Sequence, residues 1–151
     1  MKKRFKLISA VHLFLLRDGD ILLARRFNTG YEDGKYSVPA GHLNGGEKAS
    51  DAMVREAFEE IRVKIISSDL RMIHVMHRKS IEERIDFFFE AKKWNGEPRI
   101  GEPHKCDDIR WFSMDRVAQN VVPYVQVAIE NYNNNIFFSE FGWDKNHADK
   151  R

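Results

Sequence analysis

The chain's hydrophobic pattern alternates between continuous apolar runs and one long segment of helical period. Lys6 to Leu16 (KLISAVHLFLL) is apolar, β-branched and aromatic, which predicts a strand. Arg17-Asp18-Gly19-Asp20 supplies a turn and Ile21 to Phe27 a return strand, followed by a polar loop over Asn28 to Lys35. Lys64 to Ile66 and Leu70 to His77 read as strands split by Ser67-Ser68-Asp69, and Ser80 to Glu83 as a turn. Arg84 to Trp94 is a long strand closed by Asn95-Gly96-Glu97-Pro98, with Phe87, Phe88 and Phe89 as core. Arg99 to Cys106 is a charged loop, and Ile109 to Phe112 a short final strand. Ser113 with Asp115 signals a helix start. Pro123 opens the last helix, which carries Val125, Val127, Ala128, Ile129 and Tyr132 and stops at Asn133-Asn134-Asn135. The tail over 136–151 opens with Phe137, Phe138, Phe141 and Trp143, too aromatic for a solvated end. It is expected to pack back on the domain or against a second copy in a homodimer.

The segment of helical period lies in the second half of residues 41–63 (GHLNGGEKASDAMVREAFEEIRV) and predicts about four turns. Met53, Val54, Ala57, Phe58 and Ile61 share an apolar face. Glu56, Glu59 and Glu60 stand at i, i+3 and i+4, within an arc of about 100° on another face. Ala49 and Ala52 fall in that acidic sector, and Glu47 precedes the helix. Acids so crowded repel one another, and a hard cation such as Mg²⁺ or Mn²⁺ relieves that penalty. Taken alone, the run also describes a solvated acidic face.

Composition narrows the setting. At 151 residues, 42% hydrophobic and 32% charged, the chain suits one domain over 1–151 with a sizeable core. A net charge of +2 argues against a stable nucleic-acid partner, although a mildly basic rim helps attract polyanions. The single Cys106 excludes an intrachain disulfide and fits a reducing cytoplasm. The basic start followed by LISAVHLFLL has the makings of a signal peptide, but His12 interrupts it and it runs on into a hairpin. No segment approaches the length of a membrane span, so a cytoplasmic protein is expected.

Residues 41–63 resemble the signature of the Nudix hydrolases, with Gly41, Glu47, Arg55, Glu56, Ala57, Glu59, Glu60 and Val63 at its fixed spacings. One position departs: Arg62 stands where the family has the glycine that ends the helix at positive φ, which costs a residue with a Cβ about 1 kcal/mol. Tyr36 to His42 resembles the family's strand into the signature loop, with Pro39-Ala40-Gly41 for the usual Pro-Gly-Gly. The resemblance implies an α/β fold, a Nudix-type α/β/α sandwich with a mixed β-sheet. It implies hydrolysis of a diphosphate linked to another moiety, with Mg²⁺ or Mn²⁺ as cofactor.

Gly41 (through its backbone), Glu47, Glu56, Glu59 and Glu60 are then the metal set, and Arg55 orients the carboxylates. Glu102-Pro103-His104-Lys105-Cys106 resembles a segment of the MutT-like subgroup that cleaves nucleoside triphosphates, which marks Glu102 as a candidate extra ligand or base and Lys105 as a candidate phosphate or structural contact. The base is Glu56, Glu59 or Glu102, and the sequence does not choose among them. Arg25 is a candidate phosphate contact. So is His42, which has no second His or Cys at ligand spacing. The expected substrate is a small nucleotide, a normal or oxidised nucleoside triphosphate; a nucleoside diphosphate linked to another group is the alternative, and a non-catalytic sensing module a third.

Overall fold

The computed structural model describes residues 2–117 and 119–144. Strand β1 (Ile8–Arg17) turns through Asp18-Gly19 into β2 (Asp20–Arg26), with Leu16 opposite Ile21 and Arg17 opposite Asp20. Both turn residues have positive φ, 53° and 83°, the conformation an Asp-Gly pair supplies in a two-residue hairpin. Next come β3 (Tyr36–Ser37), β4 (Ala40–His42), α1 (Ala49–Ile61), β5 (Arg71–Lys79), β6 (Glu83–Ala91), β7 (Cys106–Ser113), α2 (Pro123–Asn133) and β8 (Phe138–Phe141).

These strands form one mixed sheet in the order β3-β2-β1-β6-β5-β8, with β4 added to β1 and β7 to β2. The β1–β6 and β5–β8 pairs are parallel and the others antiparallel. β1 is largely apolar because both of its faces are covered. Val11, Leu13 and Leu15 meet Ala52, Met53, Ala57 and Ile61 of α1. Phe14 and Leu16 meet Val125, Ala128 and Ile129 of α2. The result is the α/β/α sandwich expected.

β1 and β2 stay paired only beside their hairpin. Farther along, β1 takes β4 as its partner (Ala10 opposite His42, His12 opposite Ala40), while β2 pairs with β3 and β7. The two strands therefore splay apart, and a cleft of about 770 Å³ opens between them.

Several local expectations change. Lys64 to Ile66 is not a strand; only Lys64 pairs, in one bridge to Asn95, before a short 3-10 turn over Ser67–Asp69. The strand through Arg84 ends at Ala91, and β7 is longer than expected, starting at Cys106. Nor is β7 the last strand, because the aromatic tail folds back as β8 on β5, Phe138 opposite Val75. Ser113 and Asp115 start no helix: the Ser113 hydroxyl accepts the Asp115 N–H in a turn. On α1, Ala52 is fully buried in the core instead of lying beside the acids, and Phe58 is 39% exposed.

Candidate active site

α1 begins without a side-chain cap and ends at Arg62, whose φ of 60° and ψ of 26° are the left-handed values a glycine would take. The family's turn is thus kept with an arginine in it. The Arg62 N–H donates to the Phe58 carbonyl, and its guanidinium covers the exposed Phe58 ring at 5.1 Å.

The last carbonyls of a helix lack intrahelical partners. Here Gly101 N–H donates to Glu60 O at 2.9 Å and Arg99 N–H to Ile61 O at 3.0 Å. A side chain on Gly101 would put its Cβ 2.1 Å from the Glu59 carbonyl oxygen, so only glycine allows this approach. That docking carries Glu102 of the next loop to the mouth of the cleft, where it lines the wall with Glu56 and Glu60.

The acids of α1 divide into two groups. Glu56 and Glu60 face the cleft, as do Gly41, His42, Arg25, Glu102 and Lys105. Glu47, Glu59 and Arg55 stand outside its lining, and Arg55 ties them to Glu56. Its Nη2 donates to Glu47 at 2.8 Å, and its Nη1 to Glu56 at 2.7 Å and Glu59 at 3.3 Å. Glu47 is held below the ordinary carboxylate range first by Arg55 and then by the Asn44 N–H. The Arg55 guanidinium is correspondingly harder to deprotonate, chiefly because of Glu47.

Glu56 sits where a side chain at position 41 would go: a Cβ on Gly41 would lie 2.1 Å from its Cδ. Burial pushes the Glu56 carboxyl up, against the pull of Arg55. Glu60 accepts the Ala40 N–H at 2.8 Å. Burial, joined by Glu56 and Glu102, pushes its carboxyl up to about 8.

Among the described residues no group of three or more His, Cys, Asp or Glu side chains is already gathered in metal-binding geometry. The donor chemistry nevertheless fits a hard divalent ion. Glu56 and Glu60 are carboxylates packed against a strand with no side chain at Gly41, and mutual repulsion favours a cation between them.

Basic side chains line the same cleft. Arg25 Nε donates to Asp107 at 2.7 Å, and Lys105 approaches Glu102 at 3.9 Å. Arg78 and Arg84, which no motif in the sequence marks, also line the cleft. Arg78 is fully buried; its Nε donates to Asp86 at 2.7 Å, and its guanidinium lies 3.7 Å from the Tyr124 ring centre. Asp86 also takes His12 Nε2 at 3.0 Å. Burial opposes its ionisation, but His12 and Arg78 outweigh that and hold it well below the ordinary range. The only sequence signal for this network was polar residues inside apolar runs.

A mixed sheet between two helices, with glutamates of a loop–helix segment at the mouth of a cleft, is the arrangement of a Nudix hydrolase. The chain belongs to the NUDIX domain family, whose model matches residues 6–131, and it is an enzyme of the family's pyrophosphohydrolase class. It is similar to the crystal structure of a MutT NUDIX hydrolase from Burkholderia pseudomallei, with a TM-score of 0.77 and 25% identity over 83% of this chain and 98% of that one. It is 34% identical over 111 residues to an NAD-capped RNA hydrolase, NudC, of Pseudomonas syringae, covering 72% of this chain but 37% of that protein's length. An isopentenyl-diphosphate Delta-isomerase of Jannaschia is 25% identical over 155 residues, 86% of this chain and 81% of the isomerase.

Proposed function

We propose that the protein, acting as one catalytic domain, hydrolyses a nucleoside triphosphate to the monophosphate and pyrophosphate in the cytoplasm. The observation that carries this reading is Glu60, a part-buried carboxyl raised first by burial and then by Glu56 and Glu102, in a cleft that arginines also line. Carboxylates that repel one another and cations lining the same cleft suit a polyanion brought in with a divalent metal.

Glu56, Glu60 and the Gly41 backbone would hold Mg²⁺ or Mn²⁺, and Glu47 and Glu59 would complete the set from Arg55's network. When bound, such an ion neutralises phosphate oxygens and lowers the pKa of water. Arg55 fixes the carboxylates by donating to three of them at once, which keeps Glu56 in place during turnover. Glu102 lines the cleft, with Lys105 at 3.9 Å, and takes the proton of the attacking water. The water adds to a phosphorus of the α–β anhydride, that anhydride bond breaks, and the monophosphate and pyrophosphate separate.

A second reading, hydrolysis of a diphosphate joining a nucleoside to another group, is favoured by the NudC relative, whose name refers to NAD-capped RNA. Incubating the protein and Mg²⁺ with nucleoside triphosphates, ADP-ribose and sugar nucleotides separates the two when products are identified by chromatography. Monophosphate plus pyrophosphate is the expected outcome. Turnover confined to the linked diphosphates overturns the first reading in favour of the second.

A further inference from the structure

The floor of the cleft is one face of three neighbouring strands. Ala10 of β1 lies opposite His42 of β4 on one side and Asp86 of β6 on the other. Arg84 precedes Asp86 by two positions, so it projects from the same face. The small Ala10 between them leaves the floor low. Arg84 reaches across this gap, and its Nη2 donates to His42 Nε2 at 2.8 Å. The guanidinium can only donate, so His42 accepts with its Nε2 lone pair. Gly41, the next residue, faces the other side of the strand, where its missing side chain accommodates the Glu56 carboxyl.

The five Lys and Arg side chains lining the cleft differ in what they already hold. Arg25 is bound to Asp107, Arg78 to Asp86, and Lys105 faces Glu102. Arg26 donates to the Tyr31 carbonyl at 2.6 Å and to the Thr29 hydroxyl at 3.0 Å. Arg84 has no carboxylate partner among the described residues; its one bond goes to a neutral imidazole, and its Nε is buried without a partner. An arginine in the cleft that Glu56 and Glu60 also line, with its charge uncompensated and a buried N–H unused, is missing an anionic oxygen.

We propose that Arg84, and not Arg25, binds the substrate's phosphate chain, its guanidinium turning from His42 to a non-bridging phosphate oxygen beside Gly41. This rests on reading the cleft as a polyphosphate site. It adds a substrate-binding residue from β6, far in sequence from the helix that carries the acids. Arg25 shapes the wall through Asp107 instead.

The test is calorimetric titration of inorganic pyrophosphate, in Mg²⁺, into the wild-type protein and the Arg84→Gln, Arg84→Lys and Arg25→Gln variants. Arg84→Gln is expected to weaken binding about 10- to 100-fold, as removal of a hydrogen bond to a charged group does. Arg84→Lys should recover part of the loss because it keeps the charge without the planar fork. Arg25→Gln should stay within about fivefold of wild type. The proposal is overturned by no measurable pyrophosphate binding to wild type, by Arg84→Gln binding within that same fivefold, or by an equal or larger loss in Arg25→Gln.

A kinetic arm uses four nucleoside triphosphates. A rise in KM of Arg84→Gln common to all of them supports phosphate binding, whereas a rise confined to some bases assigns Arg84 to the base and overturns it. If wild type hydrolyses none of them while pyrophosphate binding still depends on Arg84, the triphosphate reading fails and this one stands.

Discussion

Replacing Gly41 with alanine separates the site's geometry from the protein's stability. The added Cβ would lie 2.1 Å from Glu56 Cδ and 2.2 Å and 2.5 Å from its oxygens, where ordinary contact begins at 3.4 Å. The carboxyl must therefore retreat by 3.4 − 2.1 = 1.3 Å. Because the clash is with the end of a flexible side chain, the fold has an escape: Glu56 swings aside at about 0.5–1.5 kcal/mol of rotamer strain. At about 2–4 °C per kcal/mol for a chain of this size, Tm should fall by only a few degrees. Activity should suffer far more, since a misplacement of about 1 Å costs on the order of 100-fold.

The assay is kcat/KM for pyrophosphate release beside a thermal melt. Gly45→Ala serves as the control, with nothing within 4 Å of its Cβ. A Gly41→Ala enzyme whose kcat/KM stays within about threefold of wild type, a barrier change under about 1 kcal/mol, refutes the reasoning, because the observed place of Glu56 would not be its working place.

Gly101→Ala is expected to do the reverse in kind: its Cβ meets the Glu59 carbonyl, which is backbone and cannot swing away, so a melt should show a loss of about 1–3 kcal/mol. Arg62→Gly should remove about 1 kcal/mol of left-handed strain, less a few tenths for the lost cover on Phe58, and raise Tm without changing turnover; a lower Tm contradicts this. Glu60, raised from 4.5 to about 8 on folding, stabilises the metal-free protein below its unfolded pKa and loses that contribution as pH rises through about 8. In EDTA, Tm should therefore decline from about pH 5 to pH 8, Glu60→Gln should flatten that slope, and Mg²⁺ should raise wild-type Tm most at the alkaline end. Asp86→Ala leaves Arg78 and His12 buried without their carboxylate, and urea unfolding should register about 3–5 kcal/mol of lost stability.

What could be read from the chain was local. Asp18-Gly19 has one favoured turn, and α1 combines an apolar stripe with a signature of fixed spacing, so both were placed correctly. Pro123 marked α2 for the same kind of reason, a residue whose ring fits a first turn. Ser113 and Asp115 misled because a capping side chain serves a turn as well as a helix, and no apolar period follows it at once.

Pairings across long stretches of chain left no such trace. The aromatic tail was legible as buried material, but nothing in it names β5 as the strand it joins. Arg25 and Asp107 are 82 positions apart and Arg84 and His42 are 42 apart, so which arginine is already neutralised could only come from the folded chain. The carboxylates of the signature were likewise readable as a group. Their division, with Glu56 and Glu60 on the cleft and Glu47 and Glu59 behind Arg55, depends on side-chain packing that spacing does not encode.

The claim on which the account turns is that Glu56 and its neighbours grip a divalent ion at the mouth of the cleft. Titration of Mn²⁺ followed by electron paramagnetic resonance, on wild type and Glu56→Gln side by side, measures this without requiring a substrate. A wild-type site weakened at least about tenfold by the substitution is expected, since changes in outer-shell partners alone cost about 10- to 100-fold. Equal Mn²⁺ affinity in the two proteins would contradict it.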